Sequence, residues 1–332
     1  PLIRSVQPMA TRGTTPRVAL VTCAELPDLD PDDRALIRPL ARRGIDAVPA
    51  VWDEPGVDWA GYDLVVLRSP WDYAARRDEF VAWAAAVPAR PGGGSRLANP
   101  AEVVAANTDK RYLARLAGAG VAVVPTRWLE PGTSWRPDSS GEVVLKPAVS
   151  AGSWETGRYD LADREQRLLA EAHADRLLRS GKAVMLQPYL SAVDSAGESA
   201  LLYVDGRYSH AIRKGAMLTG PYEETGDLYK AERIEPREPT PAERAAADAA
   251  LAAAGRVLGA SDLLYARVDL IPGPDGAPLL VELEITEPSL FFGYAPGAAD
   301  RFADAVAART VERWPVAAPQ ASPQVGSPAA RR

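Results

Sequence analysis

Lysine is the scarcest charged residue of this 332-residue chain, which carries five lysines against thirty-three arginines. There is one cysteine, Cys23, and there are two histidines, His173 and His210. A single cysteine excludes an intramolecular disulfide and fits a reducing compartment. Because it follows the strand-like run 17–22, Cys23 reads as a small buried hydrophobe. With so few histidines, no obvious Ser-His-Asp or Cys-His set is present. No apolar run approaches a membrane span, and the first sixteen residues lack the apolar core of a signal peptide. A cytoplasmic, soluble protein is expected, with Met9 nearer the natural start than Pro1. The net charge of −6 argues against a nucleic-acid surface, which needs a basic patch. The oligomeric state is left open, a homodimer included.

What is present reads as an α/β chain with an α+β C-terminal part. Strands at 17–22, 46–52 and 63–68 alternate with helices at 32–43 and 80–87, which implies a parallel sheet covered on both faces. The glycine run 91–95 reads as a linker closing that domain. A helix over 109–117, strands at 142–146 and 183–187, and a helix over 163–179 follow. Then come strands at 199–204 and 207–212 about the hairpin pair Asp205-Gly206, and a helix at 241–258. A terminal helix occupies 297–313. The expected divisions are a disordered 1–16, an α/β domain at 17–98, a small subdomain at 99–195, a C-terminal subdomain at 196–315, and a disordered tail at 316–332.

In open α/β sheets, ligands bind beyond the carboxyl ends of strands. Arg68, Ser69, Trp71 and Asp72 follow such a strand and are candidate substrate contacts. The same stretch also reads as a turn in which Asp72 caps a helix and Trp71 packs.

The segments 265–271 and 279–285 alternate cleanly about a turn at Asp275-Gly276. Folding there sets Asp269 opposite Glu282, with Glu284 one step further along the same face. Val268 and Leu270 would meet Val281, Leu283 and Ile285 on the other face as core. Opposed like charges destabilise a sheet, so a cation should lie between them. An all-oxygen cluster suits Mg²⁺ better than a transition metal.

Where arginine dominates, a retained lysine points to a need for a compact ammonium. Lys146 ends a strand beside the small-residue loop Ser150-Ala-Gly-Ser153, whose backbone N–H groups could wrap a phosphate. Lys110 opens a helix, a position that is locally unfavourable for a cation and hints at a ligand anion.

The ordered set Asn107-Thr-Asp-Lys110, Val144-Leu-Lys-Pro147, Ser150 to Ser153, Met185 to Leu190, Gly197-Glu198, Arg267-Val-Asp269 and Glu282-Leu-Glu284 resembles the ATP-grasp superfamily of ligases. The likeness covers about residues 100–289. It implies an ATP-grasp fold behind an N-terminal pre-grasp domain. It further implies that Lys110, Lys146 and the loop at Ser150 and Gly152 hold the nucleotide phosphates. Gln187, Tyr189 and Leu190 would contact adenine, and either Asp194 or Glu198 the ribose. Asp269, Glu282 and Glu284 would hold two Mg²⁺ ions, with Mn²⁺ as an alternative. Many relatives carry Asn in place of Glu284. Within the superfamily, Arg68 to Tyr73, Ser209 to Gly215 and Glu284 to Ser289 are similar to cyclo-ligases that close O-ureido-D-serine in D-cycloserine biosynthesis.

That resemblance implies a small amino-acid carboxylate activated by ATP as an acyl phosphate and captured by nitrogen, with no membrane or nucleic-acid partner. His210 and Ser289 join the substrate candidates. Arg213, Lys214 and Arg267 are candidates for steadying the transferring phosphoryl group. Loops at 150–157 and 215–230 have the composition of a lid that would keep water from the intermediate. The rivals are a ligase that joins two molecules and a protein that binds a nucleotide without turnover.

Overall fold

The computed structural model describes residues 15–90, 96–137, 140–223 and 233–311. The linker expected at 91–95, the tail at 316–332 and residues 1–14 lie outside the described residues.

Three strands open the chain: β1 (Arg17–Thr22), β2 (Asp46–Val51) and β3 (Leu64–Ser69), in the order β2-β1-β3. All pair in parallel, as the alternation with helices predicts. Every residue of β3 is buried, the pattern of a strand covered on both faces. Helix α1 (Ile37–Arg42) is preceded by a separate 3-10 turn at Asp33–Leu36, where one continuous helix was expected. Helix α2 (Arg77–Ala86) buries Phe80 and Ala84 beneath this sheet's other face, where Cys23 is also fully buried. The sequence reading missed helix α3 (Ala101–Asn107).

Next come α4 (Tyr112–Gly118), β4 (Arg127–Leu129), β5 (Glu142–Pro147), β6 (Gly157–Asp160), α5 (Arg164–Arg179), β7 (Val184–Pro188) and the short α6 (Ala192–Ala196). The four strands form an antiparallel sheet in the order β4-β7-β5-β6, with α5 packed on it. Asp163 starts α5 by accepting the Gln166 N–H.

The remaining elements are β8 (Glu198–Val204), β9 (Arg207–Lys214), β10 (Ile234–Arg237), α7 (Pro241–Leu258), β11 (Tyr265–Pro272), β12 (Pro278–Glu284) and α8 (Ala298–Val311). The strands form an antiparallel sheet in the order β10-β9-β8-β11-β12. The Asp205-Gly206 turn has positive φ at both positions, as a tight hairpin requires. A capping box between Thr240 and Glu243, with Pro241 next and left-handed Gly259 at the end, bounds α7 where the sequence places it. The buried alanines Ala247, Ala250, Ala253 and Ala254 let α7 lie close to the sheet. One hydrophobic core joins Val18 and Leu20 of the first sheet and Leu40 of α1 to Leu202, Ile212 and Phe302.

The acidic hairpin keeps the expected register, with Asp269 opposite Glu282 and Arg267 opposite Glu284. A bulge after Asp269 then pairs Leu270 with Leu280 rather than with Val281. Leu280 therefore enters the core beside Val268, Leu283 and Ile285. Val281, expected in that core, instead lines the cleft described next. The extra residue of a bulge reverses which face a side chain takes.

Candidate active site

A cleft of about 510 Å³ opens between the four-stranded and five-stranded sheets. Lys146 and Gln187 reach it from β5 and β7; Glu198, Lys214, Arg267, Asp269 and Glu282 reach it from β8, β9, β11 and β12. Apolar Val124, Val144, Met217, Leu218, Ile271 and Val281 line it too, none of them anticipated from the sequence.

Lys110 does not open a helix. It stands in the turn between α3 and α4, tied down where its N–H donates to the Ala148 carbonyl (2.8 Å). Its ammonium donates to the Ser150 carbonyl (2.6 Å) and hydroxyl (3.2 Å), and lies 3.0 Å from Glu282. Among the described residues, no hydrogen bond or ion pair engages the Lys146 ammonium. Burial lowers its pKa, Lys110 lowers it further, and Glu282 pulls the other way.

Lys214 bridges Asp269 (2.8 Å) and Glu198 (2.7 Å). Arg267 bonds Asp269 (2.9 Å) and also reaches Glu284. Burial would raise Asp269, yet Arg267 and Lys214 together hold its carboxyl well below the usual range. Desolvation, reinforced by Glu282 and Asp269, pushes the Glu284 carboxyl up to about 8 against the pull of Arg267. Gly197 supports this arrangement: its φ is +73°, and a Cβ there would lie 2.5 Å from the Lys214 carbonyl.

The three acids thus share the cleft, each bonded to a cationic side chain. Among the described residues, no three His, Cys, Asp or Glu side chains gather closely enough to hold one ion as they stand. Their chemistry still fits Mg²⁺, because the donors are carboxylate oxygens. Desolvation, with Glu282 and Asp269 adding to it, keeps Glu284 raised, and a dication beside it would favour its charged form.

Gln187 is buried and donates to Thr126 (2.9 Å), and Tyr189, Leu190 and Gly152, expected with it from the resemblance, line the same cleft. Of the two ribose candidates, Glu198 lines the cleft, whereas Asp194 is half exposed and paired with Arg158 (3.6 Å) and the Tyr189 hydroxyl.

The candidates at the other end divide. Trp71 and Ser289 line the cleft, but Arg68, Ser69, Asp72 and His210 do not. Asp72 accepts from Trp52 (2.9 Å) and Arg76 (2.5 Å), the packed-turn alternative, although it caps no helix. Ser69 donates to Asp33 (3.2 Å). Arg213 points away from the cleft, its guanidinium donating to the carbonyls of Ala196 (2.6 Å) and Ser195 (2.7 Å).

The remaining substrate candidates share a different task. After β12, five consecutive carbonyls each accept from a side chain. Tyr265 donates to Thr286 (2.8 Å), Trp71 to Glu287 (3.1 Å), Arg68 to Pro288 (2.5 Å), Arg267 to Ser289 (3.2 Å) and His210 to Leu290 (2.9 Å). Arg68 is fully buried on Asp33 (2.9 Å), and His210 is a neutral imidazole that burial lowers to about 4. These side chains hold a strap of backbone whose own side chains, Glu287 and Ser289, face the cleft. Glu287, Asp30 and Asp32 were not anticipated. Glu287 lies inside a segment already singled out, and the acid run at 28–33 was the available signal for the other two.

Residues 18–99 match the model of the D-cycloserine synthetase DcsG N-terminal domain. Over 306 residues the chain is 40% identical to the cycloserine biosynthesis protein DcsG of Streptomyces lavendulae, covering 88% of this chain and 98% of that protein. The chain belongs to the D-cycloserine synthetase family of ATP-grasp ligases. The crystal structure of D-cycloserine synthetase DcsG superposes with a TM-score of 0.77 at 39% identity, over 89% of this chain and 99% of that one. The D-alanine–D-alanine ligase of Bacillus anthracis in complex with ATP shares the fold at 14% identity, with a TM-score of 0.58 over 89% and 97% of the two chains. The ATP-grasp fold expected from the ordered motifs is therefore the fold of this D-cycloserine synthetase relative. Among the described residues, no helix is long and apolar enough to cross a membrane.

Proposed function

We propose that this chain activates the carboxylate of a small amino acid with ATP and captures it with a nitrogen of the same molecule, closing O-ureido-D-serine to D-cycloserine. The observation that carries this reading is the facing of Lys110 and Glu282 at 3.0 Å in a cleft that also holds Lys146, Asp269 and Glu284. A triphosphate laid there meets ammonium groups on one side and carboxylates on the other.

In this reading Lys110, Lys146 and the loop at Ser150 and Gly152 bind phosphate oxygens. Gln187, Tyr189 and Leu190 bind adenine between apolar walls, and Glu198 rather than Asp194 takes the ribose hydroxyls. Asp269, Glu282 and Glu284 would hold two Mg²⁺, or Mn²⁺ in their place. The metal would supply charge neutralisation at the phosphates. Lys214 and Arg267 stand where charge builds during transfer and orient the acids beside them. The substrate carboxylate oxygen attacks the γ-phosphorus as ADP leaves; the ureido nitrogen bound to oxygen then attacks the acyl carbon as phosphate leaves and takes its proton. Water removes the carbamoyl group from that nitrogen as carbamate, which breaks down to carbon dioxide and ammonia. Trp71 and Ser289 face the acceptor end.

Incubation with ATP, Mg²⁺ and O-ureido-D-serine, alone and beside amino-acid pairs, tests the assignment by ADP release and product mass. ADP and D-cycloserine from the single substrate are expected. Turnover that needs two amino acids would replace cyclisation by an intermolecular ligase. No ADP with any carboxylate would leave a nucleotide-binding protein.

A further inference from the structure

Glu287 differs from the other acids of the cleft. Asp269 is shared by Arg267 and Lys214, Glu282 faces Lys110, Glu284 is reached by Arg267, and Glu198 is bound by Lys214. Asp32 accepts the N–H groups of Phe292 (3.0 Å) and Gly293 (3.1 Å), and Asp30 accepts that of Asp32 (2.9 Å). Among the described residues, no ion pair reaches Glu287. The buried Tyr73 hydroxyl interacts with it and favours its charged form. Only 8% of Glu287 is exposed, and the strap holds its backbone through Trp71 and, on either side, through Tyr265 and Arg68.

A recessed carboxylate without a cation is costly unless a ligand supplies one. Resting on the ligase reading above, we propose that Glu287 binds the ammonium group of the amino-acid substrate, and so selects α-amino acids over plain carboxylic acids. A carboxylate has about four acceptor positions, so the single Tyr73 hydroxyl leaves room for N–H donors. The charges are sorted accordingly. Lys110, Lys146 and Arg267 serve the anionic reacting groups, while the ammonium meets an acid that none of these cations has taken. Burial pushes the Glu287 carboxyl up to about 7 against the pull of the Tyr73 hydroxyl, Lys110 and Arg267, and a bound ammonium would bring it down.

The experiment is calorimetric binding to the full chain with Mg²⁺ and a non-hydrolysable ATP analogue present. Two ligand pairs carry the contrast: O-ureido-D-serine against 3-(ureidooxy)propanoate, and D-alanine against propanoate. The wild type should prefer the amino member by roughly 100-fold or more, since a site built around a hydrogen-bonding group rejects the analogue lacking it. Glu287→Gln should abolish that preference by weakening the amino ligand and changing the des-amino ligand less than about 3-fold. Tyr73→Phe, which leaves the acid in place, should reduce the preference partway. Equal weakening of both members, or a preference that survives Glu287→Gln, would overturn the assignment, as would a wild type with no amino preference in either pair. If the D-alanine pair shows the contrast while O-ureido-D-serine is not cyclised, the substrate named above fails and the ammonium site stands.

Discussion

The ammonium of Lys110 lies 3.0 Å from the carboxylate of Glu282, although the two are brought in by different elements, a turn and a hairpin strand. Each is the other's counter-ion here, and under the proposed function a triphosphate and its metal would take both. Glu282→Gln keeps the shape and removes the charge. Turnover should fall by 10²-fold or more, a magnitude typical of losing one preorganised charge at a transfer site. ADP release measures it, and a melting temperature within a few degrees of wild type would show that the fold is kept.

Arg68 and Asp33 form an ion pair with side chains 0% and 2% exposed, and Arg68 also lies 5.2 Å from the Tyr265 ring. Removing one partner of such a pair strands the other charge, at about 3–5 kcal/mol. Arg68→Met should therefore lower the urea midpoint strongly. A variant of normal stability with only a raised KM would restore Arg68 as a substrate contact.

Asn99 ties together the ends of the acidic hairpin. Its amide donates to the carbonyls of Tyr265 (3.0 Å) and Ile285 (2.7 Å) and accepts the Leu264 N–H (2.8 Å). Asn99→Ala leaves all three backbone groups buried and unpaired, which should cost about 3 kcal/mol in denaturant unfolding.

With two histidines in the chain, their titration can be followed directly by NMR. Burial lowers both His173 and His210 from 6.5 to about 4. Between those values the unfolded chain binds protons that the folded chain does not. Their contribution to stability is therefore complete above about pH 6.5 and is lost as pH falls toward 4. Midpoints near 6.5 in the folded protein would contradict the burial of both rings.

The segment after β9 is fastened to β6 of the four-stranded sheet. The Gly220 carbonyl accepts from Arg158 N (2.9 Å), Tyr222 N donates to the Tyr159 hydroxyl (3.1 Å), and the Tyr222 ring stacks on His173 at 5.0 Å. If this segment closes over the intermediate, ATP with Mg²⁺ should slow proteolysis between 215 and 223 several-fold. An unchanged cleavage rate would remove the lid role; residues 224–230 of the expected lid lie outside the described residues.

Local pattern alone determined much of this protein. Period-two alternation set the faces of the hairpin, so Asp269 and Glu282 could be paired on paper and are paired in space. The rarity of lysine singled out Lys110 and Lys146, and both line one cleft with Lys214, which the resemblance added. The capping residues Thr240, Glu243 and Gly259 bounded α7 because each acts within a turn of its own position.

What only the tertiary structure decided depends on groups distant along the chain. The bulge that turns Val281 into the cleft follows from strand pairing, which composition does not encode. Arg68 and His210 resembled substrate contacts because a polar side chain in or after a strand reads the same whether its partner is a ligand or a carbonyl 220 or 80 residues away. Glu287 was hidden for the converse reason. An acid shows its lack of a cation only once every neighbouring charge has been placed.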